Sequence, residues 1–175
     1  MKVTFLGTGD SIPTKLRNHT SIIVECKNSH FMIDCGEGTQ RQLKFAEISA
    51  HKLSHIFITH WHGDHILGLP GLFQSLAMSN YTKKLAIYGP RGTTRYIKEL
   101  ENIFNELKIN TEIKEIVGTC INTKDILVES MEVSHGTPTL AYSITLKDKI
   151  RINKQKLRKL KIPNSPLIRQ LQEGK

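Results

Sequence analysis

At 175 residues and 19.9 kDa, the chain has room for one ordinary domain and not for two well-packed ones. With 38% hydrophobic residues and a formal charge of +9, it supports one modest core and a surface that favours anionic partners. Three widely spaced cysteines (Cys26, Cys35, Cys120) exclude a complete disulfide framework and point to a reducing, cytoplasmic setting, and no apolar run is long enough for a signal peptide or a membrane span.

In chain order, Lys2 to Leu6 and Ser21 to Glu25 read as β-branched strands in a hairpin-like pair, punctuated by Gly7, Gly9, Pro13 and Asn18. His30 to Asp34 predicts a third strand, stopped by Gly36 and Gly38, and Thr39 to Ala46 a short helix. His55 to Thr59 predicts a buried strand running into a histidine cluster. Beyond it come a helix over Pro70 to Ser79, a strand over Leu85 to Tyr88, and a helix from Thr93 to Leu107 whose apolar residues recur at helical spacing. Strands follow around Ile113 to Val117, Ile126 to Val133 and Ala141 to Leu146. Strands and helices mixed without strict alternation predict an α/β fold with one sheet.

The charge lies in the tail. Residues 147–175 hold 10 lysines and arginines against Asp148 and Glu173, so residues 1–146 are nearly neutral. We therefore divide the chain into a folded part, 1–146, and a basic tail, 147–175. Within the tail, Asn153 to Ile162 predicts a short helix with Asn153 as N-cap, Ile152 stapled to Leu157, and Pro163 as stop. Lys154, Lys156, Arg158, Lys159 and Lys161 would release counterions from RNA or DNA. A solvated helix is the plainer reading, and a membrane-surface helix is disfavoured by the lack of Trp or Phe in the tail.

Thr59-His60-Trp61-His62-Gly63-Asp64-His65 places three imidazoles and a carboxylate directly after a buried strand. These donors suit zinc, and also iron or manganese. With no thiolate nearby, they describe an open, catalytic site rather than a closed structural one. Gly63 is expected to let the backbone turn tightly between ligands.

With these residues in view, the chain resembles ribonuclease Z, the tRNA 3′-processing endonuclease of the metallo-β-lactamase superfamily. The matching pieces are FLGTG (Phe5 to Gly9), PTKLRNHTS (Pro13 to Ser21), IDCGEGTQRQ (Ile33 to Gln42), ITHWHGDHILGLPGL (Ile58 to Leu72), YGPRG (Tyr88 to Gly92) and SHGTPTLAY (Ser134 to Tyr142). The resemblance implies an αββα sandwich, here its N-terminal half: one mixed sheet with flanking helices, plus the start of a basic arm that grips tRNA. It implies a two-zinc centre with His60, His62 and His135 on one metal and Asp64 and His65 contributing to the second. Asp64 would orient the attacking water and accept its proton. Asp34 would support the ligand loop by hydrogen bonding, against the plainer reading of an ordinary turn Asp. Arg17 and Asn18 match a loop beside the active site, where contact with the RNA backbone and a loop-folding role are both open. His19, His30, His51 and His55 read as ordinary surface or core residues.

The same resemblance implies a precursor tRNA substrate, a homodimer in which the arm of one subunit reaches tRNA at the other, and no membrane partner. Relatives of this kind carry a second half that supplies a bridging aspartate, another ligand histidine and a proton-donating histidine. No residue after His135 matches those positions. The expectation is therefore a site for one metal, completed by a separate chain or by dimerisation, or else a degenerate remnant or a truncated sequence. A catalytically silent tRNA-binding subunit is the alternative from the binding class, and a thioester or lactone hydrolase the alternative the cluster alone would permit.

Overall fold

The computed structural model describes residues 1–27, 29–103, 109–148 and 153–161. Six strands form the main sheet in the order β1 (Lys2–Gly7), β2 (Ser21–Cys26), β3 (Ser29–Ile33), β4 (Leu53–Phe57), β5 (Leu85–Tyr88) and β6 (Thr111–Lys114). The first three are antiparallel neighbours; β3 to β6 run parallel. The parallel connections carry α1 (Thr39–Phe45), α2 (Gly63–Ile66), α3 (Leu69–Met78) and α4 (Thr93–Ile103).

Strand alternation explains the layering, because successive side chains point to opposite faces. Ile23, Met32, Ile56 and Ile87 join the helix-side core with Leu43, Leu69, Leu72, Phe73, Leu76 and Ile97. Their neighbours Val24, Phe31, Phe57, Ala86 and Tyr88 form a second core on the other face. The central strands are buried on both sides, which is why they read as continuous apolar runs.

That second face corrects the expectation of one sheet. β7 (Gly118–Asn122), β8 (Ile126–Glu132) and β9 (Leu140–Leu146) build a separate antiparallel sheet, and Ile126 and Val128 pack onto Phe57 and Tyr88. The mixed α/β architecture stands, with helices on one face of the main sheet and a second sheet on the other. β7 was missed because Gly-Thr-Cys-Ile-Asn offers no apolar run. β6 sits two residues earlier than expected, since Ile116 and Val117 lie in the exposed link to β7. Residues 104–108 of the predicted long helix, and Ile152, Ile162 and Pro163 of the tail, lie outside the described residues.

The tail helix α5 (Lys154–Lys159) begins where expected: the Asn153 side chain accepts hydrogen bonds from Gln155 N and Lys156 N at 3.0 and 3.1 Å. All three cysteines are free. No helix among the described residues is long and apolar enough to cross a membrane.

His55 lies in the inter-sheet aromatic cluster, edge-on to Phe31 and stacked with Phe57 and Tyr88. Burial, helped by the charge of Lys114 and opposed by Glu112, pushes its pKa down to about 4 from the usual 6.5. The unfolded chain therefore takes up this proton first as pH falls. The stability held above pH 6.5 is lost progressively between 6.5 and about 4. His55→Phe should flatten the acid limb of a urea-midpoint profile over that window; a profile parallel to the parent's would show that His55 does not carry it.

Candidate metal centre

The centre is built at the C-terminal ends of the parallel strands, where α/β sheets place their ligands. β4 continues through Ile58, whose N–H donates to Tyr88 O at 2.8 Å. The second sheet holds the next turn: Tyr142 Oη donates to Ile58 O at 2.9 Å, and Leu140 N to Thr59 O at 2.9 Å. The histidine loop is thus clamped between the two sheets before its first histidine.

His60 is buried, and His62 is exposed at the start of α2. His135 arrives from the loop between β8 and β9, closed by Val133 N donating to Thr139 O at 3.1 Å and turned by Gly136 at φ 71°. The three rings converge, with centroids 4.6 Å apart for His60 and His62, 4.7 Å for His60 and His135, and 5.3 Å for His62 and His135. One nitrogen from each lies within 4.8 Å of the others.

Beneath this cradle lies Asp34, 2% exposed and held in the left-handed region at φ 56°. Its Oδ1 accepts from Thr59 N at 2.7 Å, and its Oδ2 from Thr59 Oγ1 at 2.8 Å and His65 Nδ1 at 2.7 Å. The Thr59 hydroxyl has one proton, committed to Asp34. Its 2.9 Å contact with His60 Nδ1 must therefore be donated by the imidazole. That assigns the proton of neutral His60 to Nδ1 and leaves the Nε2 lone pair facing the cradle, 3.1 Å from His62 Nδ1. Burial, then the charges of His65 and His62, push the His60 pKa down to about 4, so the ring is neutral at pH 7. Burial alone would depress His65 as well, but hydrogen bonding to Asp34 and the charges of Asp34 and Asp64 overcome it and hold His65 above the usual range.

The three imidazoles fit a divalent cation. Bonds of about 2.05 Å in a tetrahedral arrangement put ligand nitrogens about 3.3 Å apart, and the 3.1 Å between His60 and His62 is close to that edge. Among the described residues these are the three grouped donors. Asp64 and His65 stand beside them, paired to each other at 3.4 Å, with the His65 ring centroid 4.1 Å from that of His60. Cys35 adds no thiolate, since burial pushes its pKa up to about 12.

Gly63 differs from expectation: it opens α2 without a positive φ, and its tight neighbour is Leu67, whose Cδ1 would meet an added Cβ at 3.1 Å. The backbone freedom falls instead on Asp34 and Gly136. Asn18 Nδ2 donates to Glu37 O at 2.7 Å and Asn18 O accepts from Gly9 N at 2.7 Å, so this side chain ties the 14–18 loop to the start of α1. Arg17, Lys156, Arg158, Lys159 and Lys161 are exposed, and Lys154 opens α5. His19 is buried, with neither ring nitrogen hydrogen-bonded among the described residues. Sequence reasoning also missed Thr59, whose relay needs the fold to show it, and the clamp on Trp61. The Trp61 indole N–H donates to Thr93 Oγ1 at 2.9 Å and its ring packs on Tyr96 with centroids 4.7 Å apart.

Comparison with known proteins gives this geometry a family. A family model described as anti-Pycsar protein Apyc1 matches residues 1–158. The chain belongs to this family. It also resembles the N-terminal half of ribonuclease Z: it is 42% identical over 182 residues to ribonuclease Z of Methanococcus maripaludis strain C6, covering 99% of this chain and 58% of that protein. Ribonuclease Z of Nanoarchaeum equitans is 44% identical over 178 residues, covering 99% of this chain and 55% of the relative. The chain thus spans a little over half the length of these relatives. Among solved structures, the short form of human tRNase Z superposes with a TM-score of 0.76 at 29% identity, over 83% of this chain and 65% of the other. The metallo-β-lactamase fold protein YhfI of Bacillus subtilis, at 19% identity and a TM-score of 0.66 over 82% and 56% of the two chains, shares the fold. The fold is the metallo-β-lactamase type.

Proposed function

We propose that the chain is the metal-binding half of a ribonuclease Z type endoribonuclease, removing 3′ trailers from precursor tRNA by phosphodiester hydrolysis. The convergence of His60, His62 and His135 carries this reading, supported by the likeness to ribonuclease Z. The chemistry a divalent ion supplies in such a cradle is Lewis-acid activation of water and of the phosphoryl oxygen. Zinc best fits the donor set, with manganese and iron(II) as alternatives.

The chain's own residues prepare the site. His60 presents a bare Nε2 because its proton sits on Nδ1, which donates to Thr59 Oγ1, and Asp34 holds Thr59 and His65 in place. Asp64, paired with His65 beside the cradle, is the residue we assign to orient the attacking water and take its proton. Asp64 and His65 are proposed as donors to a second ion, completed by a separate chain or a second copy. The basic 147–175 segment is proposed as a tRNA-gripping arm and the assembly as a homodimer, with the arm supplying sequence-independent affinity.

The test is incubation of the 175-residue chain with a 3′-extended precursor tRNA, with and without zinc or manganese, using His62→Ala as control. Metal-dependent cleavage at the 3′ end, lost in the control, is expected; cleavage unchanged by His62→Ala would overturn the assignment. The family description favours a second reading, an anti-Pycsar protein. Precursor tRNA left intact by the chain in the presence of zinc or manganese would favour that reading over the first.

A further inference from the structure

One loop away from the metal cradle lies a groove of about 530 Å³ between β1, the 14–18 loop and α1. Lys15, Arg17 and Arg41 line it, and no carboxylate does. Two aromatic side chains stand in it unusually open to water: Phe5 is 64% exposed and Phe45 67%. The Arg41 guanidinium lies over the Phe45 ring, 5.0 Å from its centroid. Cations that track phosphates beside aromatic faces that accept any base are the two components of sequence-tolerant single-strand binding.

The groove is mechanically tied to the centre. Its wall residue Asn18 is bonded to Glu37 O. The adjoining Gly36 passes so close to the Asp64 carbonyl and to His19 that a Cβ has no room. The 14–18 loop, the turn after Asp34 and the helix bearing Asp64 and His65 are therefore packed against one another. A strand held in the groove lies next to the ligand loop without touching the cradle's own donors.

We propose that this groove seats single-stranded RNA, the 3′ extension of the substrate, with phosphates on Lys15, Arg17 and Arg41 and bases on Phe5 and Phe45. The proposal rests on the endoribonuclease reading and adds Phe5, Lys15, Arg41 and Phe45 to the residues that meet the substrate. An apolar protein surface would leave three cations uncompensated, and an acidic peptide would leave the two rings without flat partners. RNA satisfies both.

The probe is a single-stranded RNA of about eight nucleotides carrying 2-aminopurine, titrated into the full chain. Phe5→Leu with Phe45→Leu keeps apolar volume and removes the flat faces; affinity should fall at least about fivefold and the quenching of 2-aminopurine should disappear. Lys15→Gln, Arg17→Gln and Arg41→Gln together should reduce the slope of log affinity against log salt by about 2. All five positions are exposed or line an open groove, and a urea titration of each variant separates lost binding from lost folding. Unchanged affinity, quenching and salt slope in folded variants would overturn the proposal. So would loss of a dimer in sedimentation with RNA binding intact, which would make the groove a contact between copies of the chain. The endoribonuclease reading fails separately: if precursor tRNA is bound and uncut while the short RNA still occupies the groove, the groove stands and the catalytic assignment falls.

Discussion

Asp34→Ala is expected to cost the fold about 3–5 kcal/mol and to weaken metal binding sharply. One buried carboxylate accepts from the Thr59 backbone, the Thr59 hydroxyl and His65 Nδ1. Its removal takes the acceptor from the part-buried Thr59 amide and hydroxyl and from the His65 imidazole, and breaking a buried charged pair typically costs about that much. Alanine also fits poorly at φ 56°, where a short polar side chain is tolerated better. Asp34→Asn separates the two roles. Asn accepts the left-handed backbone and can still receive the Thr59 N–H through its carbonyl oxygen. Its amide, however, turns a donor toward His65, which must then move its own proton to Nε2, the nitrogen beside Asp64. The expected pattern is a modest stability loss, about 1–2 kcal/mol, with a fall of about 10- to 100-fold in metal affinity. Urea unfolding without metal reads the first quantity and a zinc titration the second. Equal damage from Asn and Ala in both measurements would mean that Asp34 serves only to hold the turn.

How much of this was legible beforehand depended on the range of the interaction involved. β2 through β5 announced themselves because both faces of each strand are buried, giving apolar runs that need no knowledge of their neighbours. The α5 cap was legible for the same local reason, an Asn before a run of helix formers. β7 was not, because its residues are held by pairing with β8 rather than by their own hydrophobicity. In the site, His60, His62, Asp64 and His65 lie within six residues, and a strand followed by a turn must bring them together. His135 was nominated only by resemblance, and the ring distances now place it beside His60 and His62. Thr59 gave no signal at all. Its role arises from a carboxylate 25 positions away reaching both its amide and its hydroxyl. The open aromatics at positions 5 and 45 likewise acquire meaning only when β1 and α1 are placed side by side.

The distinction between His135 and His60 gives the other large effect. His62 and His135 are exposed donors, whereas His60 is buried and bonded to Thr59. His135→Ala and His62→Ala should therefore leave metal-free stability within about 0.5 kcal/mol of the parent, as ordinary surface substitutions do. Each should still reduce zinc affinity beyond the roughly 100-fold that loss of a supporting residue costs, because a coordinating nitrogen is gone. The contrast is clearest as a linkage measurement. With free zinc at about 100 times the parent's dissociation constant, the parent gains about 2.7 kcal/mol of stability, and the two variants should gain almost nothing. His60→Ala should lose on both counts, through the cavity it leaves and through the missing donor. His51→Ala, whose ring bonds Ser79 away from the cradle, should retain the full zinc-dependent gain. If His135→Ala kept that gain, the β8–β9 loop would not supply a ligand, and the second sheet would serve only to clamp the turn at Ile58 and Thr59.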